Sequence, residues 1–185
     1  MNSDRHIAKA IGTLVDAVPN PNAGLPEPIF YYISRTTPLI NVDLLVKDQA
    51  GRTLLAWRND PHAGTGWHIP GGIIRFKETI AERIHQVALK EIGVPVDYEA
   101  TPMAINEMIH HDRDLRGHFI SLLFNCHLDA SFVPYNTGRT INDAGYLQWH
   151  ATCPDNMIIY HDVYKKYIVT PPHPADETSW KSCCS

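Results

Sequence analysis

The chain has 185 residues, 44% hydrophobic and 19% charged, with a formal net charge of -4 and a pI near 6.2. That length supports one domain with extensions and leaves a second core cramped, and the charge supplies no basic field for nucleic acid or an anionic membrane surface. Any phosphate ligand must therefore meet a local positive cluster.

No basic-then-apolar leader pattern opens the chain, and no apolar run is long enough to span a bilayer. Cys126, Cys153, Cys183 and Cys184 show no metal-ligand spacing, so a reduced, cytoplasmic protein is expected. His6 to Val18 carries apolar residues at helical spacing (Ile7, Ile11, Leu14, Val15, Val18). The stretch PNPNAGLPEP after it is a proline-rich connector that suits neither a helix nor a central strand. This front piece reads as cover for a hydrophobic surface or a partner subunit.

From Pro38 onward LINVDLLV alternates, with Ile40, Val42, Leu44 and Val46 on one face and Asn41 and Asp43 on a polar one. Asp48 to Gly51 reads as a turn and TLLAW as the return strand of a hairpin, with Arg58 just past its end. A strand-end arginine is ordinarily solvated. The following loop contains His62, and His68 lies in the next strand; residue type alone singles out neither.

The stretch from Trp67 to Val94 is the most informative. Pro70-Gly71-Gly72 makes a turn whose backbone must approach something closely. Thr79 and Glu82 fit a capping box opening a helix to about Ile92, with Ile80, Ile84 and Val87 inward and Gly93 as a left-handed stop. Glu91 continues the inward row. A carboxylate there is costly unless paired or bound to a cation. It is either a buried hydrogen-bond or salt-bridge partner, or a hard-metal ligand beside the glycine carbonyls.

Downstream, MAINEMI and GHFISLLFNCHLD are strands around the polar loop His110 to Gly117. The segment from Val133 to Gly145 sets another loop, Tyr146 to His150 a short strand and about Pro154 to Ile168 a helix. Pro171 to Ser185 reads as a mobile tail.

Gly72, Glu78, Glu91, Gly93 and Val94 resemble the Nudix box, in which a glycine and a glutamate precede R-E-U-x-E-E-x-G-U, U being a bulky aliphatic. Register is kept, but Gln86 replaces the arginine, Val87 the first glutamate, Ala88 the aliphatic and Lys90 the penultimate glutamate. The chain is similar to the Nudix branch of GDP-mannose mannosyl hydrolases, which keeps one box glutamate and breaks the carbon–oxygen bond at the sugar. That similarity runs from about Thr36 to Gly93 and takes in Asp43 and Arg58 without a gap.

The resemblance implies an α/β Nudix fold, an α/β/α sandwich around a mixed β-sheet. The Nudix domain would span 36–170, after a helical extension and linker at 1–35 and before the tail at 171–185. It implies Mg2+, with Mn2+ as the alternative, held by Glu91, the carbonyl of Gly71 and Asn142. Arg58 would neutralise the leaving diphosphate and Asp43 would orient the sugar or leaving group. Trp67, Arg75 and His110 would contact substrate, although His110 and His111 are not separated by the alignment and a solvated hairpin tip fits both.

Aligning the tyrosines puts Asn142 at the branch's metal-binding glutamine and Asp143 at its base histidine. Aligning the tryptophans puts Asp143 on the metal and Ala144 at the base. The first keeps an amide oxygen for the metal and a titratable group beside it, so Asp143 is taken as the general base. Ile73 and Phe119 stand where the branch has an arginine and a tyrosine, and Arg75 is the neighbouring cation for the same phosphate. The implied activity is attack of water on the anomeric carbon of a nucleoside diphosphate sugar by a homodimer without nucleic-acid or membrane partners. Cleavage of the diphosphate and non-catalytic nucleotide-sugar binding are the alternatives.

Overall fold

The computed structural model describes residues 2–60 and 64–168; His62 and the expected tail at 171–185 lie outside them. Eight strands form one mixed sheet: β1 (Leu39–Lys47), β2 (Thr53–Asp60), β3 (Gly64–His68), β4 (Gly71–Ile73), β5 (Asp97–Tyr98), β6 (Ala104–Ile109), β7 (His118–His127) and β8 (Leu147–His150). The main path is β3-β2-β1-β7-β5, with β4 on β1, β6 on β7 and β8 on β2. β1 holds the centre. It runs parallel to β7 from Leu39↔Phe119 to Lys47↔His127 and antiparallel to β4 through Asn41↔Ile73, Val42↔Gly72 and Asp43↔Gly71. The expected hairpin turn forms where the Asp48 carboxylate accepts from the N–H groups of Ala50 and Arg52 at 3.0 and 2.8 Å. β2 meets β1 at Lys47↔Thr53 and then takes β3 and β8 as partners.

Both faces of β1 are covered, which corrects the expectation of a polar face. Val42, Leu44 and Val46 pack with Phe124 and with Ile84 and Val87 of the box helix. Leu45 packs on the opposite side with Leu55, Ile69, Leu123 and Tyr164. Asp43 shares that second face and is 1% exposed, whereas Ile40, expected inside, is exposed. A strand with a parallel neighbour is commonly buried on both sides, so alternation there does not sort inside from outside.

Three α-helices accompany the sheet: α1 (Asn2–Ala17), α2 (Glu27–Ser34) and α3 (Ile80–Val87). α3 opens on the expected reciprocal cap. Thr79 Oγ1 accepts from the Glu82 N–H at 3.2 Å, and Glu82 Oε2 accepts from the Thr79 N–H at 2.8 Å. A π-helical turn, Ala88–Ile92, extends it; the Gly93 N–H donates to the Ala88 carbonyl at 3.0 Å, and Gly93 stops it at φ 92°. α2 starts on the last two residues of the proline-rich connector. Its Pro28 sits in the first turn, where a missing N–H leaves no helical bond unmade.

The helix expected over Pro154 to Ile168 is instead a 3-10 segment, Ile159–Tyr167. Asn156 and Ile158 exchange backbone hydrogen bonds with Trp67, each at 2.9 Å, and hold the chain extended up to that point. With α3 over one face and this segment over the other, the layers are helix, mixed sheet, helix.

Candidate functional site

The register Asp43↔Gly71 explains the glycine pair. A Cβ on Gly71 would collide with Asp43 Oδ1, and one on Gly72 would lie 2.8 Å from Val87 Cγ2. Only bare backbone fits between β1 and α3 there. The π turn widens the helix end facing it, a device common at functional sites. Its Glu91 keeps 24% of its side chain exposed, with Oε2 3.7 Å from His68 Nε2. Burial lowers the pKa of His68, outweighing the attraction of Glu91, so the imidazole is neutral near pH 7 and the contact is no ion pair.

Two cavities meet at this helix end. The larger, about 770 Å³, is lined by Gly71 to Glu78, by the α3 face through Glu82, Arg83 and Gln86, and by the connector and α2. The smaller, about 240 Å³, is lined by Ala56 to Asn59, His68, Arg139, Ala144 and Gly145. Lys90 and Glu91 line both. Arg58 and Arg139 thus join Lys90 around Glu91, which is the local positive cluster an acidic chain needs for a phosphate ligand. Arg58 lies within β2, not past the strand's end, and is half-buried.

Asp43 lies beneath this surface. Tyr164 donates its hydroxyl to Oδ2 at 2.8 Å, Asn41 Nδ2 approaches Oδ1 at 3.5 Å, and Ser121 Oγ is 2.7 Å from the Tyr164 oxygen. Burial pushes the Asp43 carboxyl up to about 6, with repulsion from Glu91 adding to it and the Ser121, Tyr164 and Asn41 hydrogen bonds opposing it. The line of polar groups continues through His161, whose Nδ1 accepts the Ile69 N–H at 3.2 Å. Its ring stands 5.0 Å from Tyr164 and 5.8 Å from His68. Burial, then the fields of His68 and Arg58, hold His161 well below the ordinary histidine value. Asp43 lines neither cavity and adjoins the larger one only through the Gly71 backbone beside it. A direct grip on a sugar or leaving group does not fit its burial.

The other residues expected at the site disperse. Trp67 is 3% exposed and packs against Trp57 at 5.1 Å and His150 at 4.5 Å, so it is a core residue and not a substrate contact. Arg75 lines the larger cavity, with Nη1 donating to the Asn22 carbonyl at 2.7 Å. His110 is half-buried, stacked edge-on against Tyr160 at 4.4 Å, and lines neither cavity.

Asn142 and Asp143 are exposed. Asp143 Oδ2 accepts from the Thr140 N–H at 2.6 Å and its hydroxyl at 2.8 Å, which lowers the Asp143 pKa. The same loop offers Arg139, Ala144 and Gly145 to the smaller cavity instead. Arg139, Tyr164 and Ser121 are the participants the sequence does not announce. Tyr164 reaches Asp43 across 121 positions, and no local pattern encodes such a contact.

No protein-family model matches the chain. The low-salt glycan biosynthesis protein Agl8 of Haloferax volcanii is 29% identical over 121 residues, covering 63% of this chain and 76% of that protein. Among solved structures, the MutT Nudix hydrolase of Burkholderia pseudomallei superposes with a TM-score of 0.57 at 17% identity, over 72% of this chain and 99% of that one. A Nudix hydrolase of Nitrosomonas europaea gives 0.54 at 19% identity, over 71% of this chain and 70% of that one.

Proposed function

We propose that this chain, whose fold is that of the Nudix hydrolases, hydrolyses a nucleoside diphosphate sugar, water attacking the anomeric carbon to release free sugar and nucleoside diphosphate. The observation that carries this is Glu91 at the junction of two cavities, ringed by Lys90, Arg58 and Arg139. Such a substrate has two bulky ends joined by a diphosphate, and the charged junction suits the diphosphate. The likeness to a protein named for glycan biosynthesis fits a nucleotide-sugar substrate.

Among the described residues no group of three or more His, Cys, Asp or Glu side chains is assembled. Glu91 is the box carboxylate that lines both cavities, Glu78 being paired with Arg83, and Gly71 lines the larger one. One carboxylate with a backbone oxygen fits a single Mg2+ or Mn2+ whose remaining ligands are substrate phosphate oxygens. Glu91 and the Gly71 carbonyl would hold it, Asn142 being exposed outside both cavities, and the cation would supply charge neutralisation at the leaving diphosphate.

Arg58 and Arg139 bind and orient that diphosphate, with charge-assisted hydrogen bonds strengthening as negative charge develops. Asp143, the base that the resemblance implies, lies outside both cavities with its carboxylate bonded to Thr140, so this arrangement does not set it against the attacking water. The buried His68 and Trp57 side chains form part of the smaller cavity's wall. A second reading, hydrolysis at phosphorus to give a monophosphate and a sugar phosphate, is favoured by the structural neighbours, which are Nudix hydrolases.

Reaction with GDP-mannose and other nucleotide sugars in 18O-labelled water, with magnesium, separates the readings. Labelled free sugar is expected; labelled monophosphate or sugar phosphate would transfer the chemistry to phosphorus. Glu91→Gln should abolish magnesium-dependent turnover, and Arg58→Ala should lower kcat/KM. Full activity in both variants would remove this site, and ligand binding without product would leave a nucleotide-sugar binder.

The reduced thiols Cys126 and Cys153 suit a cytoplasmic setting. No helix among the described residues is long and apolar enough to cross a membrane. The exposed apolar stripe of α1 is proposed as the contact with a second copy of the chain.

A further inference from the structure

The larger cavity owes one wall to chain that precedes β1. Leu25 of the connector and Phe30 and Ile33 of α2 line it opposite Ile73, Phe76 and Val87. The connector is held in place by Arg75, whose guanidinium grips the Asn22 carbonyl at 2.7 Å and passes 3.9 Å from where a Gly24 side chain would begin. The Arg116 guanidinium lies 5.8 Å from the Phe30 ring centre and buttresses α2 from behind. Asn22, Leu25, Phe30 and Ile33 precede Thr36, where the stretch that carries the resemblance to the nucleotide-sugar hydrolases begins.

Phe76 is the telling side chain. It follows the glycine turn, lines the cavity and is still 62% exposed. A phenyl ring left in water beside a charged junction is a surface that a flat ligand would cover favourably. The two cavities also differ in kind. The smaller presents Arg58, Asn59, His68 and Arg139 beside the packed Trp57, whereas the larger sets the Phe30 and Phe76 rings and aliphatic side chains among Arg75, Lys77, Glu82 and Arg83. Of the two ends of a nucleoside diphosphate sugar, the polyhydroxylated one suits the first and the planar one the second.

We propose that residues 21–33 complete a subsite for the nucleobase, with Phe30 and Phe76 as its aromatic contacts, and that the sugar occupies the smaller cavity. This rests on the reading of the Glu91 junction as the diphosphate site. The extension is then part of the binding site itself.

Titration calorimetry with GDP and with inorganic pyrophosphate, each with magnesium, tests it on the full chain. Phe76→Ala, at an exposed position that leaves the core intact, should weaken GDP binding by roughly 5- to 150-fold, the range for a lost base–aromatic stack, and leave pyrophosphate binding unchanged. Phe30→Ala should do the same from the opposite wall. Equal GDP affinity in wild type and both variants, with pyrophosphate still bound, would overturn the subsite alone. Failure of the wild-type chain to bind pyrophosphate would overturn the diphosphate junction beneath it.

Discussion

Asp43 and His161 sit in one buried line of polar groups and impose opposite pH dependences. His161 takes a proton near 6.5 when unfolded but resists it when folded. The unfolded state therefore binds more protons below that pH, and stability falls as pH drops through it. Neutral His68 has the same sign. Asp43 titrates near 3.8 when unfolded and about 6 when folded. The folded state binds the extra proton between those values, so this contribution is complete below the lower value and lost as pH rises through the upper. Its size is about 3 kcal/mol across the window. His161→Asn should flatten the acid-side decline in stability, and Asp43→Asn should steepen it. Urea denaturation at pH 5 and pH 7 reads both, and identical pH slopes in wild type and variants would refute the assignment.

At the scale of elements, the cap on α3 positions the helix end that carries Glu91. Thr79→Ala removes the side-chain half of the capping box and should cost about 1 kcal/mol, lowering Tm by roughly 2–4 °C for a chain of this size. A second anchor precedes it: Glu78 accepts from Arg83 Nε at 2.8 Å and Nη2 at 2.7 Å, and from the Arg75 N–H at 2.8 Å. Thermal melts check the cost, and an unchanged Tm would mean that packing of Ile84 and Val87 alone holds the helix. The cap is legible in the sequence because it is a local exchange between residues three apart. The π turn is not, since one widened hydrogen-bonded ring has no compositional signature. The 3-10 segment replaces the expected helix because the preceding residues are committed to Trp67, a partner that helical spacing cannot reveal.

At the scale of the whole molecule, α1 stands apart from the core. Every residue from Ser3 to Ala17 is exposed, including Ile7, Ile11, Leu14 and Val15 along one stripe. Removing residues 1–17 should leave the thermal midpoint of the domain unchanged and convert the proposed dimer to a monomer. Analytical ultracentrifugation measures this, and an unchanged mass would exclude α1 as the interface. The connector and α2 behave differently, being built against the box turn.

The amino-acid sequence by itself determined the close backbone approach at Gly71-Gly72, though these residues form strand β4 and not the expected turn, the capped box helix with Glu91 near its end, and the β1–β2 hairpin. Each of these is written in short-range spacing or in local propensity. Only the tertiary structure decided that Asp43 is buried under Tyr164, that Trp67 belongs to the core, and that Asp143 bonds within its own turn. It alone brought Arg58 and Arg139 to the cavity that Lys90 and Glu91 line and set α2 against the larger cavity. Those outcomes depend on which distant segments cover each face of the sheet, and two-sided burial of a strand or a contact across 121 positions leaves no periodic trace in the chain.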